Sequence, residues 1–123
     1  MMKHKYIDNI PNNPKEIMDY ALSKSYKYWI DEMGTKDNPD VWRRNPSERT
    51  YEEAYDIIQN NKPHWVISYR NNSYFGGDKD YWEFGGSNIR DGDYGEVFIW
   101  ICVDVAIAEE IFKKFNLNVN HIN

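Results

Sequence analysis

The spacing of apolar positions changes several times along this chain, and each change predicts an element. Over residues 96–103 nearly every side chain is apolar, β-branched or aromatic, the composition of a strand buried on both faces. This run is expected to be the central strand of a sheet. Asp104 follows as a residue able to accept from the exposed amides of a helix, and Val105, Ala108, Ile111, Phe112 and Phe115 recur on one helical face beyond it. The strand therefore leads directly into a helix that covers the sheet.

Earlier in the chain the period is helical. Asn13, Pro14 and Glu16 suit a helix start, with a capping side chain, a first-turn proline and a glutamate able to reach back. Met18, Ala21, Leu22, Ser25, Trp29 and Met33 then fall three and four residues apart, which predicts one helix running to Gly34. Residues 35–49 have neither period, and Pro39 and Pro46 bracket a loop anchored by Trp42. Thr50 and Glu53 have capping-box spacing ahead of Tyr51, Ala54, Tyr55, Ile57 and Ile58, a short second helix that stops before Pro63. From His64 to Arg70 polar and apolar residues alternate, as in a half-buried strand. Asn71-Asn72 suits a hairpin turn into Ser73, Tyr74 and Phe75. Asp91-Gly92 suits a second that pairs a strand around Tyr81 to Arg90 with the central strand, and Gly85-Gly86 are expected to interrupt the strand around Tyr81 to Arg90 with a bulge.

These elements predict a single α+β domain over residues 1–123, with residues 1–13 an irregular arm. Two N-terminal helices precede an antiparallel meander of three to four strands, and a C-terminal helix packs on the sheet. A core of Leu22, Trp29, Ile57, Trp65, Ile67, Phe98, Trp100, Ile101, Ile111 and Phe112 is expected. Cys102, the sole cysteine, has no disulfide partner, which favours a reducing, cytoplasmic setting. No run approaches the length needed to span a bilayer, and no apolar stretch follows the basic residues near the start.

Charge narrows the choice of partner. The net charge is −5. Residues 1–77 carry eleven acidic and eleven basic side chains, whereas residues 78–123 carry nine acidic and four basic. Such a balance repels phosphates, so direct nucleic-acid binding is not expected, and a protein with a basic surface fits better. Residues 76–95 hold six of the seven glycines, with Asp78, Asp80, Tyr81, Trp82, Asp91, Asp93 and Tyr94 among them. This segment is the candidate partner surface, in which rings supply contact area and carboxylates steer encounter. The plainer account assigns the glycines to turns and alternate rings to the core.

Catalytic and metal signatures are weak. Asp91-Gly92-Asp93 opens like a calcium loop, but Glu96 stands where that loop requires glycine and Cys102 where it requires a carboxylate. The paired glycines match no phosphate-binding or dinucleotide pattern. His64 with Asp80 or Glu83, together with Arg70, forms the acid/base set an enzyme would have to use, and no spacing supports it. Trp42, Arg43 and Arg44 make a local basic cluster able to hold an anion beside a ring. No catalytic residue, metal ligand or cofactor is assigned. Three classes fit: a protein-binding inhibitor such as a bacterial immunity or antitoxin protein, a small cone-like enzyme or ligand-binding domain using His64, Asp80 and Arg70, and a phage-type acidic mimic of nucleic acid.

Overall fold

The computed structural model describes residues 4–8, 10, 14–34, 44–71, 79–89 and 95–122. Among these, three helices and seven strands follow in the order β1 (His4–Asp8), α1 (Pro14–Lys24), β2 (Lys27–Met33), β3 (Arg44–Pro46), α2 (Tyr51–Asn60), β4 (Pro63–Arg70), β5 (Tyr81–Asn88), β6 (Glu96–Asp104), α3 (Val105–Lys114) and β7 (Asn120–Ile122). The fold is α+β. The strands join in one sheet, β3-β2-β6-β5-β4-β1-β7. Pairing is antiparallel at β1–β4, β1–β7 and β2–β3.

Two compact units are distinguished, Met1–Tyr28 with Trp65–Gly85 and Ile101–Asn123, and Trp29–His64 with Gly86–Trp100. In the first, apolar residues of α1 (Ile17, Met18, Ala21) and α3 (Ala108, Ile111, Phe112) are buried. The two helices pack on each other. Trp82 and Phe84, two apart on β5, meet the Phe112 ring with centroids at 4.9 and 6.2 Å. The period of a strand thus puts Trp82 and Phe84 on the helix side and Tyr81 and Glu83 on the other. β1 sets Ile7 opposite Ile67, both buried.

In the second unit α2 begins as its sequence predicts. The Glu53 amide donates to the Thr50 hydroxyl, and the Glu53 carboxylate accepts from the Thr50 amide, closing the capping box. Ala54, Tyr55 and Ile58 are its buried positions. Between β5 and β6 the buried Asn88 acts as a clamp: its Oδ1 accepts from the Val97 amide at 2.6 Å and its Nδ2 donates to the Gly95 carbonyl at 3.0 Å. Gly95 lies so close to the Gly34 carbonyl that a Cβ has no room there. Gly34 itself has φ 72°, a conformation natural to glycine.

Several expectations are corrected. The long first helix is instead α1 followed by β2, because Ser25 ends the helix by donating from its amide and hydroxyl to the Leu22 carbonyl. Tyr28, Trp29 and Ile30 beyond it have the shapes that suit a strand. Hence two helices do not precede the sheet, and three to four strands become seven. The expected irregular arm contains β1, and the expected proline-bracketed loop ends in β3. Gly85 and Gly86 lie buried within β5 and do not end it. Asp104 sits at the start of α3 without a side-chain cap hydrogen bond. β6 stands third in the seven-strand order, flanked by β2 and β5, so the middle place belongs to β5. Trp65, Ile67, Phe98, Ile101, Ile111 and Phe112 are buried as expected, whereas Leu22, Trp29, Ile57 and Trp100 are partly exposed. Asn72 and the Asp91-Gly92 turn lie outside the described residues.

Replacing the fully buried Phe84 by alanine is expected to cost about 3–5 kcal/mol through lost burial and the cavity left against Phe112. Gly95→Ala is expected to cost about 1–3 kcal/mol or more, because the Gly34 backbone must move. Urea denaturation of each variant checks both values.

Candidate functional site

Two groups of side chains carry the chemistry of the described residues, one in each unit. In the first unit, Tyr81 and Glu83 face away from α3. Both are buried, at 3% and 4% exposure. Arg70 Nη2 lies 3.3 Å from Glu83 Oε1, which supplies the counter-charge that a carboxylate removed from water requires. Burial pushes the Glu83 carboxyl up, while Arg70 pulls it back. Burial likewise raises the Cys102 thiol to about 11, with the Glu83 charge adding to it, and drives the Tyr81 phenol well above its ordinary value. Tyr69 donates to Asp80, and that bond and burial push its phenol up to about 12. Near neutral pH the Cys102 thiol and the Tyr69 and Tyr81 phenols therefore stay protonated.

The exposed rim of this unit is built from residues 26–28, Lys79 and Asp104. Tyr26 and Tyr28 are 49% and 52% exposed. Tyr26 rests edge-on against the buried Tyr81 ring at 6.4 Å, and Lys79 Nζ lies 4.9 Å from the Tyr26 ring centroid. The same ammonium pairs with Asp104 Oδ1 at 2.7 Å. Asp104 thus positions a lysine over a tyrosine.

In the second unit, β6 offers Phe98 and Trp100 on one face, stacked at 6.0 Å and 7°. Trp29 of β2 stacks on Trp100 at 6.3 Å and 25°. Arg44, placed opposite Met33 by the β2–β3 register, carries its guanidinium carbon 4.3 Å from the Phe98 centroid and 5.6 Å from that of Trp100. Beside it, Glu32 accepts from Ser47 Oγ and Arg49 Nε, each at 2.5 Å. The Trp100 indole nitrogen is buried without a hydrogen-bond partner.

The expected partner surface is thereby altered. Tyr81 and Trp82 are core side chains, Trp82 at 4% exposure, and neither ring is presented to a partner. Alternation on β5 sends one ring to each side of a strand that is covered on both. Asp80 is half-buried and holds Tyr69. Asp78, Asp91, Asp93 and Tyr94 lie outside the described residues, as do Trp42 and Arg43. Of the acid/base set, Arg70 is paired with Glu83, Asp80 accepts from Tyr69, and His64 is exposed at the start of β4. Among the described residues no three His, Cys, Asp or Glu side chains are placed to hold a metal ion, and no helix is long and apolar enough to cross a membrane.

Sequence reasoning missed Tyr26 and Tyr28 because a helical spacing was carried through them. The available signal was Ser25 followed by Tyr26-Lys27-Tyr28, where rings and a charge replace good helix formers. Comparison with protein-family models, curated proteins and solved structures finds no match to this chain.

The Glu83 environment makes a prediction about pH. A carboxyl whose folded value is raised contributes stability that is fully present below its unfolded value, near 4.5, and is lost as pH rises through the folded value. The unfolding free energy of the wild type, measured against Glu83→Gln, is therefore expected to fall as pH rises above 4.5 and then to level off. Paired urea titrations on either side of that window check the sign.

Proposed function

We propose that this protein is a non-enzymatic binding protein that acts by covering a site on another protein, as small inhibitor, immunity or antitoxin proteins do. The observation that carries this reading is the pair of half-exposed rings, Tyr26 and Tyr28, set in one short stretch, with Tyr26 braced by the Lys79–Asp104 ion pair. Tyrosine supplies a large contact area with few rotatable bonds and a polar tip that tolerates water before binding, which is why it recurs at the energetic centres of interfaces. Tyr26 is held against Tyr81, so part of its ordering cost is met before a partner arrives.

Two further features support the reading. The Cys102 thiol and the Tyr69 and Tyr81 phenols of the same unit are held protonated near neutral pH, so they supply no ready nucleophile or base there. The net charge of −5 favours a partner with a basic surface, because opposite charges speed encounter.

The test is kinetic. The purified product of the gene adjacent to this one is the first partner to assay, by surface-plasmon resonance at two salt concentrations. Association that slows with salt is expected, and Tyr26→Ala combined with Tyr28→Ala should raise the dissociation rate by about tenfold or more, with circular dichroism unchanged. An unchanged dissociation rate in that double variant would remove the tyrosine pair as the binding surface.

A further inference from the structure

The second unit contains an arginine, Arg44, that has no carboxylate partner among the described residues. Arg44 is exposed on β3, and its guanidinium carbon lies over two rings, 4.3 Å from the Phe98 centroid and 5.6 Å from that of Trp100. Its neighbour Arg49 differs, being spent on Glu32 at 2.5 Å. A guanidinium laid over a ring engages its flat face and leaves its in-plane N–H donors for an acceptor. Its guanidinium carbon lies over Phe98 and Trp100, which stack on each other, with Trp100 also stacked on Trp29, so the side chain is partly placed before a partner arrives and loses less entropy when it binds.

We propose that Arg44, held over Phe98 and Trp100, is the anchor of a carboxylate-binding site that receives an aspartate or glutamate side chain from a protein partner. A fork of two parallel N–H donors matches the two oxygens of a carboxylate. The alternative anion, the phosphate chain of a nucleic acid, is disfavoured by charge. Asp31, Glu48, Glu52, Glu53 and Asp56 of the same unit carry half-buried or exposed carboxylates, whose repulsion grows with each phosphate of a chain and is smaller for a single acid. This site is independent of the tyrosine pair, so either can fail without the other.

The probe is a blocked tripeptide, acetyl-Gly-Glu-Gly-amide, with its Gln counterpart as control. Each is titrated at constant ionic strength into the nitrogen-15-labelled full chain, following the Arg44 Nε–Hε and Trp100 Nε1–Hε1 resonances. The Glu peptide is expected to shift both signals saturably, and the Gln peptide to shift neither. In Arg44→Lys, which keeps the charge but loses the fork, affinity read from the Trp100 signal should fall about fivefold or more. Arg44 is an exposed position, and the remaining amide spectrum verifies that the variant is folded. Equal shifts from the two peptides, or affinity retained in Arg44→Lys, would overturn the site. Tighter binding of a ten-residue oligothymidylate than of the Glu peptide would overturn its assignment to a protein carboxylate.

Discussion

Exclusion of water from both faces of β5 and β6 is the constraint on which the other features depend. Along β5 seven of eight positions are buried, and along β6 the buried positions run almost without a break. A strand covered on one side can discard polar residues to the other, but these strands cannot. A polar group on them is costly unless it finds a partner inside or alters its protonation, and the Trp100 indole nitrogen, with no hydrogen-bond partner among the described residues, bears that cost. Asn88 therefore clamps the backbone at Gly95 and Val97, Glu83 takes Arg70, and the Cys102 thiol is held neutral.

The same constraint decides where function is to be sought. A segment rich in rings and carboxylates suggests a sticky, charged surface when read as a string. Once it becomes a covered strand, its rings are divided between two buried faces and its buried glutamate is tied to an arginine. Among the described residues the exposed tyrosine rings are then Tyr26 and Tyr28 in one unit, while in the other the exposed Arg44 lies over Phe98. In both places a cation lies against a ring, Lys79 on Tyr26 and Arg44 on Phe98. The two cations differ in use. Lys79 is neutralised by Asp104, whereas the contacts of Arg44 among the described residues are apolar.

Local sequence determined those elements whose signals are complete within a few residues. The capping box at Thr50 and Glu53 sets the start of α2, because both reciprocal hydrogen bonds close within one turn. The apolar run of β6 and the apolar face of α3 were legible for a similar reason: one needs only a continuous stretch, the other a repeat of three and four. The alternation in β4 was legible as well. Each of these is short-ranged, and no distant residue competes for it.

What the sequence left open depended on partners far along the chain. Residues 25–33 keep a helical spacing of Ser25, Trp29 and Met33, yet β2 forms because its ladder with β3 and its ring contact with Trp100 outweigh that spacing. β1 carries no strong strand pattern and exists through its pairing with β4 and β7. The candidate site residues share this dependence. Arg44 is one arginine of a basic cluster until Phe98 and Trp100, more than fifty residues later, come beneath its guanidinium. Tyr81 and Trp82 are adjacent rings until coverage of both faces of β5 withdraws them from solvent. The sequence by itself determined which stretches form α2, α3, β4 and β6, since hydrogen bonds and apolar periods act over a few residues. Only the tertiary structure decided which rings and charges remain at the surface, because exposure is a property of what packs against a side chain and not of the side chain itself.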